Sequence, residues 1–162
     1  MGFFKQLLKN LVSVTPSEIE FTVAGVEYDT NKRSRQEILR TAVAHHAKLE
    51  EIKPYNGLSD DEINEGDTVY EYENMRTTHI KLERDPENEY DPNAIKVMTL
   101  NTRGGYTTVG YVPRTDNLKV GQILDNINSL EGFFTGGKFK TKKNGTVKEG
   151  SETRGLRIKL SS

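Results

Sequence analysis

Apolar residues recur along the chain with two different spacings, and the change between them marks the predicted elements. Residues 20–28 (EFTVAGVEY) place apolar side chains at alternate positions, which is typical of a half-buried strand. From Ser34 onward the apolar spacing becomes three and four residues and continues as far as Pro54, which predicts a helix. Ser34 and Glu37 form the sequence of a capping box at the start of that helix.

Two further helical stretches are predicted from the same signals. Ser59 and Glu62 repeat the capping-box spacing and predict a short helix. Residues 117–130 (NLKVGQILDNINSL) carry five apolar residues on one helical face: Val120, Ile123, Leu124, Ile127 and Leu130. We expect these helices to pack on a body made of strands.

Strand patterns fill most of the remaining chain. The expected pairs are residues 68–73 (TVYEYE) with 78–84 (THIKLER), and residues 93–100 (NAIKVMTL) with 106–112 (YTTVGYV). The second pair surrounds the glycine-containing loop NTRGG, which suits a hairpin. Asn144 and Gly145 predict a type I′ turn in a last hairpin, because both residue types readily adopt a positive φ.

The composition fits one small domain with no general attraction to nucleic acid. The chain has 162 residues, of which 33% are hydrophobic and 29% are charged, and its formal net charge is −1. A contact with nucleic acid would therefore need a local patch of charge. The chain contains no cysteine, which excludes a thiol nucleophile, a disulfide framework and cysteine-ligated zinc.

The first sixteen residues predict a short amphipathic helix. Its apolar face is formed by Phe4, Leu7, Leu8 and Leu11. That face is expected to pack on the body of the protein, with contact to a membrane or to a partner protein as the alternative. The segment lacks the h-region and cleavage site of a secretory signal, and no apolar run approaches the roughly 20 residues that span a bilayer. The expected location is cytoplasmic, with no membrane span.

Charge is unevenly distributed along the chain. Residues 59–74 contain seven acids and no Lys or Arg, whereas residues 132–162 contain eight Lys or Arg and two acids. Both segments are interpreted as solvated surface. The alternative for the basic segment is an auxiliary strip that contacts phosphates, formed by Lys138, Lys140, Lys142 and Lys143.

The chain lacks a recognisable catalytic or metal-binding constellation. Residues 132–138 (GFFTGGK) fit the letters of a phosphate-binding loop, but Phe139 stands where Ser or Thr is needed, and strand-like alternation follows. His45 and His46 point in different directions on one helix, so they cannot bind one metal together. We therefore expect a protein without enzymatic activity, metal or cofactor.

The stretch DPENEYDPNAIKV, residues 85–97, predicts a stiff loop between two strands. Pro86 and Pro92 each fix a backbone φ, and the aspartates before them favour turns. Tyr90 stands between the two turns. One interpretation is a well-made strand connection in which Tyr90 packs on the body. The other is that the stiff loop presents Tyr90 and a neighbouring carboxylate to a ligand at a low entropic cost.

LERDPENEYDPNAIKV followed by VGYVPR resembles the HIRAN domain, and FTVAGVEY is similar to that family's first strand. The resemblance covers residues 21–160, apart from a helical insertion at about 34–67. It implies a mainly β fold of the α+β type, an OB/SH3-like small β-barrel with two or three helices packed on it. The expected division is an N-terminal helix, 1–16, and a HIRAN-like domain, 17–162. The resemblance also implies a stand-alone protein of the bacterial or phage type.

The resemblance further implies binding of single-stranded DNA at a free 3′ end, as in DNA repair or replication. The rings that stack on the terminal bases would be Tyr28 and Tyr90, and Asp91 would accept a hydrogen bond from the 3′-hydroxyl. Asn88 would lie beside Asp91, while Tyr111 and Arg114 would face the backbone phosphates.

One departure supports a second hypothesis. Glu27 stands where members of the family carry an arginine before the first stacking ring, and an acid near a phosphate path weakens binding. The alternative function is a protein-interaction adaptor that keeps the barrel but has little affinity for DNA. A partner protein would then contact the N-terminal helix or the acidic insertion.

Overall fold

The computed structural model describes residues 18–29 and 33–162, so the helix predicted for residues 1–16 lies outside the described residues. Within them the chain forms eight strands: β1 (Glu18–Thr22), β2 (Thr68–Tyr70), β3 (Met75–Thr77), β4 (Ile80–Arg84), β5 (Ile95–Leu100), β6 (Tyr106–Tyr111), β7 (Ser129–Lys143) and β8 (Thr146–Ser161). The same residues form two α-helices, α1 (Arg35–Leu49) and α2 (Asn117–Ile123), and 3₁₀ turns at Pro54–Gly57, Asp60–Glu62 and Leu124–Asn126.

The described strands form two antiparallel sheets, as the mainly β prediction requires. The first sheet has the order β1-β8-β7-β2, with β3 also paired to β7, and the second has the order β4-β5-β6. An isolated bridge joins the sheets, in which Ala24 and Tyr111 exchange backbone hydrogen bonds of 2.8 and 2.9 Å. The pairing among the described residues does not close into the predicted barrel, because an isolated bridge and not a ladder of paired residues joins the two sheets.

Several local predictions are confirmed. The Ser34 hydroxyl accepts a hydrogen bond of 3.1 Å from the Glu37 amide and caps α1, which is one half of the predicted capping box. The other half does not form, because the Glu37 carboxylate pairs with Arg33 and Arg40 instead. Asn144 and Gly145 have φ values of 52° and 73°, and they connect β7 to β8 as the predicted hairpin turn. Residues 132–138 lie within β7, where the register with β8 shifts between Thr135 and Gly137, so this segment is a bulged strand.

The predicted hairpin between residues 68–73 and 78–84 is wrong. β2 pairs with the distal part of β7, and β4 pairs with β5. Asn74, with a φ of 53°, ends the first segment, and the long β7 offers an edge on which both β2 and β3 pair.

Two predicted elements are shorter than expected. The strand predicted over residues 20–28 ends at Thr22, because Gly25 has a φ of 74° and starts a turn. The helix predicted over residues 117–130 ends at Ile123 and continues as a single 3₁₀ turn, so Leu130 belongs to β7.

The hydrophobic core lies where both sheets meet the apolar face of α1. The helix contributes Ile38, Leu39, Ala42, Val43 and Ala47, and the helix contacts β6 and β8. Val97 and Val109 from one sheet and Leu156 and Ile158 from the other are fully buried in the same cluster. Helix α1 is thus part of the core that holds the two sheets together.

His46 is the polar member of the buried face of α1. Its side chain is only 5% exposed, and its ring centroid lies 5.4 Å from that of His79. Burial lowers the pKa of His46 from its ordinary value of 6.5, and the electrostatic interaction with the neighbouring His79 lowers this pKa further. The neutral imidazole is therefore the form that the folded state favours.

We expect the free energy of unfolding to fall as the pH drops below about 6.5, because the unfolded chain then binds a proton at His46 that the folded chain resists. This contribution is fully present above the unfolded pKa and is lost as the pH falls through the folded pKa. Urea denaturation between pH 5 and pH 7.5 measures it. His46→Gln should flatten part of the slope, whereas His45→Gln, its neighbour on α1, should retain the slope. Equal slopes in wild type and His46→Gln would contradict the assignment.

Candidate nucleic-acid interface

The loop between β4 and β5 is closed at its base and carries two tight turns. The Asp85 amide donates to the Ala94 carbonyl oxygen at 2.9 Å, which joins the ends of the loop. Within it, the Asn88 amide donates to the Asp85 carbonyl at 3.0 Å and the Ala94 amide donates to the Asp91 carbonyl at 3.1 Å. These turns follow the two Asp-Pro steps, so the two turns predicted from them are confirmed, and the stiffness of the loop stays a prediction.

Asn88 builds the turn that presents Tyr90. Its side-chain oxygen accepts hydrogen bonds of 3.0 Å from the backbone amides of both Tyr90 and Asp91. The Asp91 carboxylate in turn accepts from the Asn93 amide at 2.9 Å, which is the local turn predicted at that aspartate. The sequence predicted Asn88 only as a neighbour of Asp91, and its role in shaping the loop was missed.

The turn that presents Tyr28 is held by the first residues of α1. The Gln36 side chain donates to the Val26 carbonyl at 3.0 Å, and the Arg35 amide donates to the Tyr28 carbonyl at 3.4 Å. The Arg35 guanidinium also donates to the Gly25 carbonyl at 2.7 Å. The start of α1 therefore fixes the backbone that carries Tyr28.

The two loops face each other across a cleft of about 730 Å³. All six residues predicted to contact DNA line this cleft: Tyr28, Asn88, Tyr90, Asp91, Tyr111 and Arg114. The rings of Tyr28 and Tyr90 are 71% and 82% exposed, so neither packs in the core. The interpretation in which Tyr90 packs on the body is therefore wrong, because the turn made by Asn88 directs the ring to solvent.

Asp91 is held firmly at the edge of the cleft. Its side chain is 16% exposed, and one carboxylate oxygen accepts a hydrogen bond of 2.7 Å from the Asn117 side chain. The Arg114 guanidinium lies 3.6 Å from the same oxygen and also donates to the Tyr90 carbonyl. Asn117, which is 5% exposed at the start of α2, was missed, since the sequence gives no local signal that brings it to Asp91.

Tyr111 presents its ring to the cleft while its hydroxyl is engaged elsewhere. The hydroxyl donates to the Asp85 carboxylate at 3.0 Å, and burial together with this hydrogen bond raises the pKa of Tyr111. The Arg35 guanidinium lies over the Tyr111 ring, 5.3 Å from its centroid. A contact from the Tyr111 hydroxyl to a phosphate, as predicted, would require the bond to Asp85 to break.

The predicted basic strip is not brought to the cleft. None of Lys138, Lys140, Lys142 and Lys143 is among the described residues that line it, and all four lie on the distal part of β7. Lys140 forms an ion pair of 2.9 Å with Asp60 and lies 4.5 Å from the centroid of the Tyr55 ring. Asp60, in the acidic segment 59–74, therefore neutralises part of the strip. A phosphate contact by these lysines stays a prediction, and the position of the lysines away from the cleft does not support it.

A small mainly β domain with exposed aromatic rings, arginines and a fixed carboxylate around one cleft has the features of a nucleic-acid-binding module. The model of the HIRAN domain family matches residues 64–146, and the chain belongs to that family. HIRAN domains are a class of DNA-binding domain. The structure is similar to the crystal structure of the HIRAN domain of human HLTF, with 20% identity, a TM-score of 0.36, and coverage of 90% of this chain and 76% of that chain. No curated protein sequence matches the chain.

Two further observations concern the described residues as a whole. They contain no helix that is both long enough and apolar enough to cross a bilayer. In the same part of the chain, no three or more His, Cys, Asp or Glu side chains are grouped so that they could hold a metal ion.

Proposed function

We propose that this HIRAN domain is a non-catalytic module that binds single-stranded DNA at free 3′-hydroxyl ends. The observation that carries the proposal is the pairing of two exposed tyrosines with a fixed carboxylate around one cleft. Neither part alone would suffice, because exposed rings are common on surfaces and carboxylates are common in turns. Their convergence from the turn after β1 and from the loop between β4 and β5 is what favours a ligand.

The rings of Tyr28 and Tyr90 supply a sequence-tolerant contact. Every base has a π-face, and stacking on an aromatic ring is worth about 1–3 kcal/mol per base. The cleft walls around the rings include the apolar side chains of Ala24, Ala94 and Val112, which suit an unpaired base. A duplex end would have to unpair before its last bases could enter.

The Asp91 carboxylate selects the chemistry of the strand end. An ionised carboxylate only accepts hydrogen bonds, and its oxygen that bonds the Asn93 amide has remaining acceptor capacity. A terminal 3′-hydroxyl can donate to it, whereas a 3′-phosphate carries a negative charge that it repels. Because Asn117 and Arg114 hold Asp91 in place, the carboxylate is positioned before the strand arrives.

Balanced charge in the cleft favours the adaptor as the second candidate function. Asp29 and Asp91 oppose Arg35 and Arg114 among the described lining residues. Away from the cleft, on the distal part of β7, the pairing of Lys140 with Asp60 further reduces the free positive charge of the protein surface. A HIRAN fold with such a surface could serve as an interaction module with little affinity for DNA.

Binding of matched oligonucleotides that end in a 3′-hydroxyl or a 3′-phosphate tests the proposal. We expect the hydroxyl form to bind roughly tenfold tighter or more, because like charges at about 4 Å repel by about 1 kcal/mol in water and more in a partly buried site. Asp91→Asn keeps the size of the side chain and removes its charge, so this variant should lose most of the preference. Fluorescence anisotropy measures both affinities.

Two controls separate this effect from general charge. Asp125→Asn removes an exposed carboxylate on the 3₁₀ turn after α2 and should leave the preference unchanged. A strand with a 5′-phosphate carries the same added charge as the 3′-phosphate strand and should bind like the unmodified strand. Equal and very weak binding of all three strands would instead favour the adaptor.

A further inference from the structure

Arg35, the first residue of α1, reaches the cleft from outside the segment that matches the family model. We propose that Arg35 is a DNA-contacting residue that binds the phosphate next to the base stacked on Tyr28. The inference rests on the proposed function and adds to it a contact from the inserted helix. It assigns to that helix a role in recognition beyond its place in the core.

The guanidinium lies directly beside the first stacking ring. A Cβ atom built on Gly25 would stand 2.9 Å from Nη1 of Arg35 and 3.2 Å from Cδ2 of Tyr28, so both groups flank the same backbone position. The guanidinium also lies over the Tyr111 ring, 5.3 Å from its centroid. A nucleotide whose base stacks on Tyr28 would therefore bring its phosphate within reach of Arg35.

The positive charge of Arg35 is not neutralised by a carboxylate. No Asp or Glu of the described residues forms an ion pair with Arg35, and residues 1–17 and 30–32 contain no acid by sequence. Arg114, the other arginine that lines the described part of the cleft, has Asp91 at 3.6 Å. Asp29 also lines the cleft but lies beyond ion-pair distance of Arg35, so Arg35 is the arginine among the described lining residues that no carboxylate pairs.

Arg35 also retains hydrogen-bonding capacity. A guanidinium has five N–H groups, and one on Nη1 donates to the Gly25 carbonyl. Its Nε is buried and has no hydrogen-bond partner, so the donors left for a ligand are the remaining N–H groups of Nη1 and Nη2. A planar group with spare donors matches the oxygens of a phosphate better than a lysine would.

The acid before Tyr28 does not oppose this role. Glu27 is not among the described residues that line the cleft. Its carboxylate instead accepts a weak hydrogen bond of 3.4 Å from the Thr153 hydroxyl on β8. The turn that follows Gly25 therefore directs Glu27 to β8 while α1 supplies a cation to the cleft.

The alternative is that Arg35 only supports the turn through its bond to Gly25 and its contact with Tyr111. A supporting role and a phosphate contact differ in their salt dependence. Each phosphate neutralised on a single strand contributes about −0.7 to the slope of log affinity against log salt concentration. Loss of a support would weaken binding without changing that slope.

The experiment is a salt titration of binding to a single strand with a free 3′-hydroxyl, followed by fluorescence anisotropy. Arg35→Met keeps an unbranched apolar stem and removes the charge, and Arg35→Gln keeps a donor for the Gly25 carbonyl. We expect either variant to reduce the steepness of the slope by about 0.7 and to weaken binding several-fold at low salt. Arg40→Met removes an exposed arginine on the same helix and should bind like wild type.

An unchanged slope in either folded variant overturns the proposal and leaves Arg35 as a positioning residue. Thermal unfolding of each variant shows which of them are folded. Because two different replacements are made, the test can still be read if one variant does not fold. Failure of the wild type to bind the strand overturns the proposed function itself, and the present inference with it. Binding by wild type with an unchanged variant slope refutes only the role of Arg35.

Discussion

Replacement of both Tyr28 and Tyr90 with alanine is expected to weaken binding of a single strand by about 30-fold to more than 1,000-fold. Each stacked base contributes about 1–3 kcal/mol, and 1.4 kcal/mol corresponds to a factor of ten. Either single replacement should cost about 5-fold to 100-fold. The two rings are 71% and 82% exposed, so their removal should change the free energy of unfolding very little.

Phenylalanine replacements provide the matched control. Stacking depends on the ring, so Tyr28→Phe and Tyr90→Phe should bind nearly as tightly as wild type. Tyr106→Ala removes a partly exposed ring on β6 that is not among the described residues lining the cleft, and it should have no effect. Affinities for an oligonucleotide with a free 3′-hydroxyl decide the outcome. Wild-type affinity in the double alanine variant would remove the basis of the proposed site.

Replacement of Gly110 with alanine is expected to lower the free energy of unfolding substantially. A Cβ atom at this position would stand 2.4 Å from the Ala24 carbonyl oxygen and 2.5 Å from Cγ1 of Val23, far inside normal contact distances. The site is buried at the bridge between Ala24 and Tyr111, where backbone must separate to make room. Overpacking of this kind costs about 1–3 kcal/mol, and here it should also separate the Tyr28 turn from Tyr111.

Urea denaturation and binding of a single strand measure the two consequences of Gly110→Ala. Gly105→Ala lies in the loop before the same strand, and a Cβ there would meet no atom nearer than 3.4 Å. This control should retain both stability and binding. If Gly110→Ala were as stable as the control, the close approach of β6 to the segment after β1 would not be a constraint on the fold.

The cleft depends on α1 as well as on the strands. The helix buries an apolar face in the core, and its first two residues bond the turn that carries Tyr28. The Gln36 side chain additionally bonds both the backbone amide and the backbone carbonyl of Arg154 on β8. It thus takes the place of a neighbouring strand at this position of β8. The insertion is thus tied to the cleft and to the first sheet at the same point.

Signals contained within a few residues were sufficient for much of the candidate site. The two Asp-Pro steps predicted the turns around Tyr90, and Ser34 and Asn144-Gly145 predicted a helix start and a hairpin. Each of these depends on backbone preferences and hydrogen bonds between residues close in sequence. The resemblance to the HIRAN family supplied the six residues that the structure brings to one cleft.

The sequence by itself thus determined the local turns, the capped helix and the identity of the presented rings. Only the tertiary structure decided that β2 pairs with β7, that Asn117 holds Asp91 and that Arg35 enters the cleft. These outcomes join segments that are distant along the chain. They depend on which sheet edge is free and on which backbones approach closely, and no short stretch of residues encodes either condition.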